Sequence, residues 1–279
     1  MRTLKLTLAY DGTRFVGWQR QARSAGGRGP TEAGESVQGV LEEVLSRFEG
    51  APVVVQGAGR TDAGVHALGQ VASAQVRFEH DPATLVRALN AQLPAEIRVL
   101  SVEEVPEAFH ARFSARAKTY RYQIRNAPLV MPFERLYVWH LPERLDVDAM
   151  RRAAGVLEGT HDFAAFRSAG GETHATVRTL LVSRVGWAAP CQLRLAPLAE
   201  TPEGDADLLV YEVTGTGFLR YMVRAIVGTL VEIGRGWRAA DAMRQLVDRG
   251  ARADAGPTAP PQGLFLVSVD YDLEKPHVP

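Results

Sequence analysis

The chain has 279 residues, 46% of them hydrophobic and 23% charged, which is ordinary soluble composition and enough length for two domains or one large one. Lys plus Arg and Asp plus Glu both total 32, so net charge selects no partner, and only the local placement of charge can do so. The single cysteine, Cys191, excludes an intrachain disulfide and points to a reducing compartment. The opening "MRTLKLTLAYDG" alternates like a strand and lacks a signal peptide's apolar core. No window approaches the roughly 18 apolar residues of a membrane span. A soluble, cytoplasmic protein with no membrane association is the expectation.

In chain order, "LKLTLAY" alternates and predicts a strand. The Gly-rich stretch Ala22 to Glu35 predicts a loop. "SVQGVLEEVLSRF" places Val37, Val40, Leu41, Val44, Leu45 and Phe48 on one helical face, with Ser36 as the N-cap. "APVVVQ" and "GQVASAQVRF" predict strands. "DPATLVRALNAQLP" predicts a helix with Asp at its cap and Pro in its first turn, and "EIRVLSVEEV" a strand.

That order, β-α-β-β-α-β, is the split βαβ of ferredoxin-like folds. It recurs downstream. "RAKTYRYQIR" predicts a strand, "DVDAMRRAAGVLEG" a helix, and "TVRTLLVSRVGW" and "DLLVYEV" strands, with "QLRLAPL" as a further candidate. "FLRYMVRAIVGTLVEIG" predicts a helix, "RAADAMRQLVDRG" an inserted helix, and "GLFLVSVDY" the last strand. The expected fold class is α+β. Two ferredoxin-like halves, residues 1–105 and 106–279, would divide near Pro106, with a mixed or antiparallel sheet and helices on one side.

One loop carries the chemistry. "GAGRTDAGVHALGQV" sets Asp62 among Gly57, Gly59, Gly64 and Gly69, with Arg60 two residues before it and His66 four after it. The spacing matches neither a dinucleotide fingerprint nor a P-loop, and a strand follows where a phosphate-binding helix would have to begin. Asp is a common turn residue. Four glycines exceed the needs of one turn, however, and would admit a ligand close to the backbone. A carboxylate beside a guanidinium stays ionised, which suits a nucleophile or electrostatic stabiliser better than a general acid. The histidines show no zinc spacing, no serine sits in a G-x-S-x-G elbow, and no second carboxyl is legible for glycosidase pairing.

A second signal is "FHARFSARAKTYRYQIR", Phe109 to Arg125. It holds Arg112, Arg116, Lys118, Arg121 and Arg125 with no acid, interleaved with Phe109, Phe113, Tyr120 and Tyr122. Cations for phosphate and rings for splayed bases suit looped RNA. In the predicted helix after Phe218, Arg220 and Arg224 lie four apart. The apolar run around Arg224 implies partial burial and hence an anionic partner, for which Asp62 is a candidate. A non-catalytic RNA-binding protein would explain the basic strand but not the Asp62 loop. An Asp-nucleophile hydrolase lacks its second carboxyl.

Taken together, "YDGTRFVGWQRQ", "GRTDAGVHALGQV", "NAQLPAEIRV", "FHARFSARAKTYRY", "GTHDFAAF", "GFLRYMVRAIVGTLVEIG" and "APPQGLFLVSVDY" resemble the tRNA pseudouridine synthases of the TruA family, in the family's order and over nearly the whole chain. The resemblance implies isomerisation of uridine to pseudouridine at positions 38–40 of the tRNA anticodon stem-loop. It implies no cofactor and no metal, a homodimer, and a catalytic cleft between two α+β halves. Asp62 would be the nucleophile, Tyr120 the ring stacked on the target base and a candidate for the final proton abstraction, and Arg60 the residue that helps extrude the nucleotide. Arg224 would pair with the acid, and Leu264 would line the pocket. His66, Arg112, Arg116 and Lys118 complete the expected substrate-binding set. The chain departs from the family in the extra Gly-rich residues of Ala22 to Glu35, where Arg23 and Arg28 could meet phosphate, and in Thr216.

Overall fold

The computed structural model describes residues 1–20, 34–168, 175–188, 198–199 and 207–272. Cys191, Arg23, Arg28, most of the expected Gly-rich loop and all but the end of "QLRLAPL" lie outside the described residues. Among the described residues no helix is long and apolar enough to cross a membrane.

The chain divides into two compact units. One comprises Met1–Arg116 and Phe265–Asp272, the other Ala117–Leu264. The boundary falls beyond Pro106 because the segment after it is bonded to the first unit. Ala111 N–H donates to Ser73 Oγ at 3.1 Å, Tyr271 Oη donates to the Ala111 carbonyl at 2.7 Å, and Arg116 N–H donates to the Asp270 carbonyl at 2.8 Å.

The first unit begins β1 (Arg2–Tyr10), α1 (Val37–Glu49), β2 (Val55–Gly57), β3 (His66–Val76), α2 (Pro82–Gln92), β4 (Ile97–Val105), in the expected order. β1 lies antiparallel between β3 and β4, and Leu4, Leu6, Leu8 and Tyr10 are buried as its alternation requires. The other edge of β3 is shared. β2 pairs antiparallel with Ala72 to Ala74, and the last strand, taken up below as β11, pairs parallel with His66 and Ala67. Local chemistry sets the helices. Ser36 accepts from Gly39 N–H and Gly50, at φ 69°, ends α1, while Asp81 accepts from Thr84 N–H ahead of Pro82. Those Thr84 bonds hold the exposed Asp81 carboxyl below its usual range.

The second unit runs β5 (Ala117–Arg125), β6 (Trp139–His140), α3 (Val147–Gly155), β7 (Gly159–Asp162), β8 (Val177–Ala188), β9 (Leu198–Ala199), β10 (Leu208–Gly215), α4 (Met222–Gly234), α5 (Ala242–Arg249). β11 (Leu264–Asp270) follows. β5, β10, β8 and β7 form an antiparallel run in that order, with short β6 parallel to β5 and β9 beside β8. β6 and β7 carry too few residues for their periodicity to be read from sequence. α4 is buried along nearly its whole length, as an all-round apolar helix must be. Gly228 lets residue 257 cross it, since a Cβ there would sit 1.7 Å from the Pro257 carbonyl oxygen.

The expected helix from Phe218 starts later, at Met222. Tyr221 takes φ 64°, the sole positive φ of a non-glycine residue among those described, and the chain turns there instead of continuing the helix. Arg220 therefore lies outside α4. Arg121 and Glu212 face each other across β5 and β10, and Glu212 faces Arg184 across β10 and β8. Arg121 Nε and Nη2 donate to Glu212 Oε2 at 3.0 and 2.5 Å, and Arg184 Nη2 donates to Oε1 at 2.6 Å. Arg121 is 2% exposed. It is a core ion-pair residue, not a cation offered to phosphate, and Arg125 is likewise engaged by Glu134 and Asp207.

Burial alone would raise the Glu212 carboxyl, but the two arginines outweigh it and hold it below the usual range. A depressed carboxyl stabilises the fold above its unfolded value, near 4.3, and that contribution is lost as pH falls through the folded value. Glu212→Gln should therefore melt lower than the parent at neutral pH, and the gap should narrow below about pH 4. Arg121→Met, which strips a buried carboxylate of its main partner, should cost about 3–5 kcal/mol at neutral pH. Thermal melts across pH check both expectations.

Candidate active site

The Asp62 loop occupies Ala58 to Val65, between β2 and β3, and its shape is imposed from outside. The chain between β1 and α1 passes directly against it. Trp18 N–H donates to the Thr61 carbonyl at 3.0 Å and Gly64 N–H to the Phe15 carbonyl at 3.4 Å. Glycines make the approach possible. A Cβ on Gly12 would lie 2.0 Å from the Val65 oxygen, and one on Gly17, at φ 107°, would lie 2.6 Å from the Thr61 oxygen. Within the loop, Val65 N–H closes a turn onto the Asp62 carbonyl at 3.1 Å, with Gly64 at φ 76°.

A buried polar network braces the same loop from beneath. A register shift between Leu8 and Tyr10 re-aims the end of β1. The Tyr10 hydroxyl meets Thr61 Oγ1 at 2.8 Å. Gln70 Nε2 donates to the Gly59 carbonyl at 2.9 Å and to Tyr10 Oη at 3.4 Å. Burial pushes the Tyr10 phenol up to about 12 despite the bonds from Thr61 and Gln70, so this network is neutral at any physiological pH. Thr61 is buried, Asp62 half-buried and Arg60 exposed.

His66 is 1% exposed, stacked on Phe265 at 4.8 Å between centroids. Gly12 N–H donates to its Nδ1 at 3.0 Å. Asp11 Oδ1 lies 3.2 Å from the same Nδ1 and accepts from Thr13 N–H and Oγ1 at 2.9 and 2.5 Å. His66 thus ties the crossing segment to the base of the loop.

Two of the loop's four glycines have a structural use that the sequence reading did not assign. A Cβ on Gly57 would lie 2.3 Å from Trp18 Nε1, and one on Gly69 would lie 2.4 Å from the Val267 oxygen. Protein atoms, not ligand space, require them. Tyr10, Gly12, Gly17, Trp18, Thr61 and Gln70 were missed as supports of the acid. The signal available was the Gly12/Gly17 pair inside "YDGTRFVGWQRQ".

Arg112 and Arg116 are exposed on the segment 106–116 of the first unit. That segment reaches the loop through Ala111, which packs with Ala58 and Val71.

In the second unit, Tyr120 is buried on β5 and meets Phe218 edge-on at 4.9 Å. Half-buried Lys118 stands opposite Gly215. Tyr122 lies two residues after Tyr120, on the same face of the strand. Its hydroxyl donates to the Pro260 carbonyl at 2.7 Å, and burial raises its phenol, moderated by the charge of Arg224. Arg224, half-buried in the first turn of α4, donates through Nε to the Ala259 carbonyl at 2.7 Å and receives Ala259 N–H at its own carbonyl. The guanidinium groups of Arg220 and Arg224 lie 4.8 and 5.1 Å from the centre of the Tyr221 ring. Arg224 and Tyr122 therefore both anchor the segment that leads into Leu264, which is buried at the start of β11. Among the described residues no three His, Cys, Asp or Glu side chains gather into a cation site.

The chain matches the family model described as tRNA pseudouridine synthase over residues 7–114 and 153–272. It is 45% identical to the tRNA pseudouridine synthase A of Solidesulfovibrio magneticus, covering 97% of this chain and 92% of that protein. It is 42% identical to the enzyme of that name from a Geobacillus species, over 97% and 99%. The protein of the same name from Myxococcus xanthus is 43% identical over 97% and 92%. The two matched blocks contain the Asp62 loop with the segment crossing it, and Arg224 with its Ala259 anchor. The chain belongs to the tRNA pseudouridine synthase family, isomerases that act on tRNA.

Proposed function

We propose that this isomerase converts uridine to pseudouridine at positions 38, 39 and 40 of the tRNA anticodon stem-loop, with Asp62 as its nucleophile. The observation that carries the proposal is the support of the Asp62 loop. Its backbone is fixed by the crossing segment and by the Tyr10–Thr61–Gln70 network, while Asp62 itself is half-buried and Arg60 is exposed beside it. A held carboxylate with an accessible cation next to it suits attack on an extruded nucleotide.

The reaction is an isomerisation, so atoms balance without a co-reactant. Asp62 attacks the ribose or the uracil, and the bond from N1 to the sugar breaks. The base rotates, C5 joins the sugar, and the bond to Asp62 breaks, which returns the free carboxylate. The proton on C5 leaves, and N1 ends protonated. In this reading Arg60 helps hold the extruded nucleotide, Tyr120 stacks on the target base and accepts the final proton, and Leu264 lines the base pocket. Arg224 supplies the cationic partner of the reacting centre. Arg112, Arg116 and Lys118 meet phosphate, and His66 acts by fixing the loop. No cofactor or metal takes part. The enzyme works as a homodimer in the cytoplasm.

Asp62→Asn should abolish tritium release from uridine labelled at carbon five in an unmodified tRNA transcript, while filter binding of that transcript stays within about threefold of the parent, because the change is isosteric and phosphate contacts dominate affinity. Normal release from that variant would sink the nucleophile assignment. Arg224→Ala should lose activity and also melt lower, by about 1–3 kcal/mol, because the Ala259 carbonyl loses its charged donor. Unchanged turnover and melting would reduce Arg224 to a surface residue.

A further inference from the structure

Four rings alternate with the cations between Phe109 and Arg125, and the structure treats one of them differently. Phe109 packs on Tyr271 at 4.9 Å between centroids, and Tyr120 and Tyr122 are buried. Phe113 is 77% exposed. Leaving so large an apolar ring in water forfeits most of the roughly 1.5–3 kcal/mol that its burial would contribute.

A rigid framework presents the ring. His110 N–H donates to Ser114 Oγ at 3.1 Å, and Ser114 N–H returns to the His110 carbonyl at 2.9 Å. The N–H groups of Arg112 and Phe113 both donate to His110 Nδ1, at 3.1 and 3.3 Å. Nδ1 is therefore an acceptor, and the His110 ring stands 4.3 Å from the Phe113 ring, tilted by 35°. The Arg112 guanidinium lies 5.6 Å from the same ring. The turn is fastened through Ala111 to Ser73 and Tyr271, and Ala111 packs on Ala58, where the Asp62 loop begins.

The charge around the ring is one-sided. The stretch from Phe109 to Arg125 contains no acid. Arg121 and Arg125 are neutralised by Glu212, Glu134 and Asp207. Among the described residues no carboxylate pairs with Arg112 or Arg116, and both are exposed. An anionic partner with flat apolar faces complements such a patch, and RNA has both properties.

We propose that Phe113, with the His110 ring and the Arg112 guanidinium close to it, is a stacking platform for an unpaired nucleobase of the tRNA substrate, distinct from the base that is isomerised. Arg112 and Arg116 hold the flanking phosphates. The platform selects RNA that presents a splayed base at a fixed offset from the reacting uridine, which a continuous duplex does not. The inference rests on the family's tRNA substrate and not on Asp62 being the nucleophile.

The test compares Phe113→Ala, Phe113→Leu and Phe113→Trp with the parent. It measures filter binding of an unmodified tRNA transcript across salt, together with melting and sedimentation. Phe113→Ala should weaken binding about tenfold, Phe113→Trp should retain it, and Phe113→Leu should fail to restore it, because stacking needs a π face. Melting should not change, since the ring is exposed. The slope of log affinity against log salt should be unaltered by Phe113→Ala and reduced by about one unit by Arg112→Ala. Parental binding by Phe113→Ala, or equal binding by the Leu and Trp variants, would overturn the proposal. So would altered sedimentation with intact RNA binding, which would make the ring a contact between copies of this chain. Because binding is measured, a failure here is separate from any failure of the Asp62→Asn experiment.

Discussion

The candidate site depends on one close approach, that of residues 12–18 to the loop carrying Asp62. Three glycines allow it. A Cβ at Gly12, Gly17 or Gly57 would collide with Val65, Thr61 or Trp18 at 2.0 to 2.6 Å. Once the segments touch, their backbones bond, Trp18 to Thr61 and Gly64 to Phe15. Two strand ends, a crossing segment and a loop become one rigid part. In the proposed mechanism the Asp62 carboxylate must meet a reacting atom within a fraction of an ångström, and it gains from such support. Flexibility at those glycines would work against it. Their role is to remove side chains where two backbones meet.

The second unit solves a different problem. There a basic stretch also forms β5, a strand paired on both edges. Alternation sends Arg121 to a buried position, and the register puts Glu212 opposite it and Arg184 on the far side. The arginine that cannot reach water is met by a carboxylate that cannot either. Charge in this chain is therefore sorted by burial: the neutral total hides a buried, compensated set and an exposed basic pair, Arg112 and Arg116, ahead of the strand.

Much of the fold was legible because its signals are local. Ser36 and Asp81 cap the helices that periodicity predicted after them, and Asp146 caps α3 in the same way. The β-α-β-β-α-β order of the first unit follows from such signals alone. What escaped has long-range causes. α4 begins at Met222 because Tyr221 turns left-handed, and nothing in "FLRYMVR" marks a tyrosine for positive φ. The burial of Arg121 depends on residues about sixty and ninety positions away, which the register alone brings beside it. Gly57 and Gly69 invited a ligand-space reading, because a sequence does not show which atoms will occupy the space that a missing side chain leaves. The Asp62 loop stood out by composition, but the residues that hold it, Tyr10 and Gln70, have no signature beyond their place on two strands.

The chemistry of those supports bears on what the acid can do. Tyr10 is held near 12 by burial, and its partners Thr61 and Gln70 carry no charge. Their bonds end on the Gly59 carbonyl, on the Thr61 hydroxyl and on one another, so they fix the position of the loop without spending a formal charge beside Asp62. Neutral bracing separates the two tasks. Geometry is set by uncharged hydrogen bonds, and in the proposed reaction charge enters with Arg60 and Arg224, not with the groups that brace the loop.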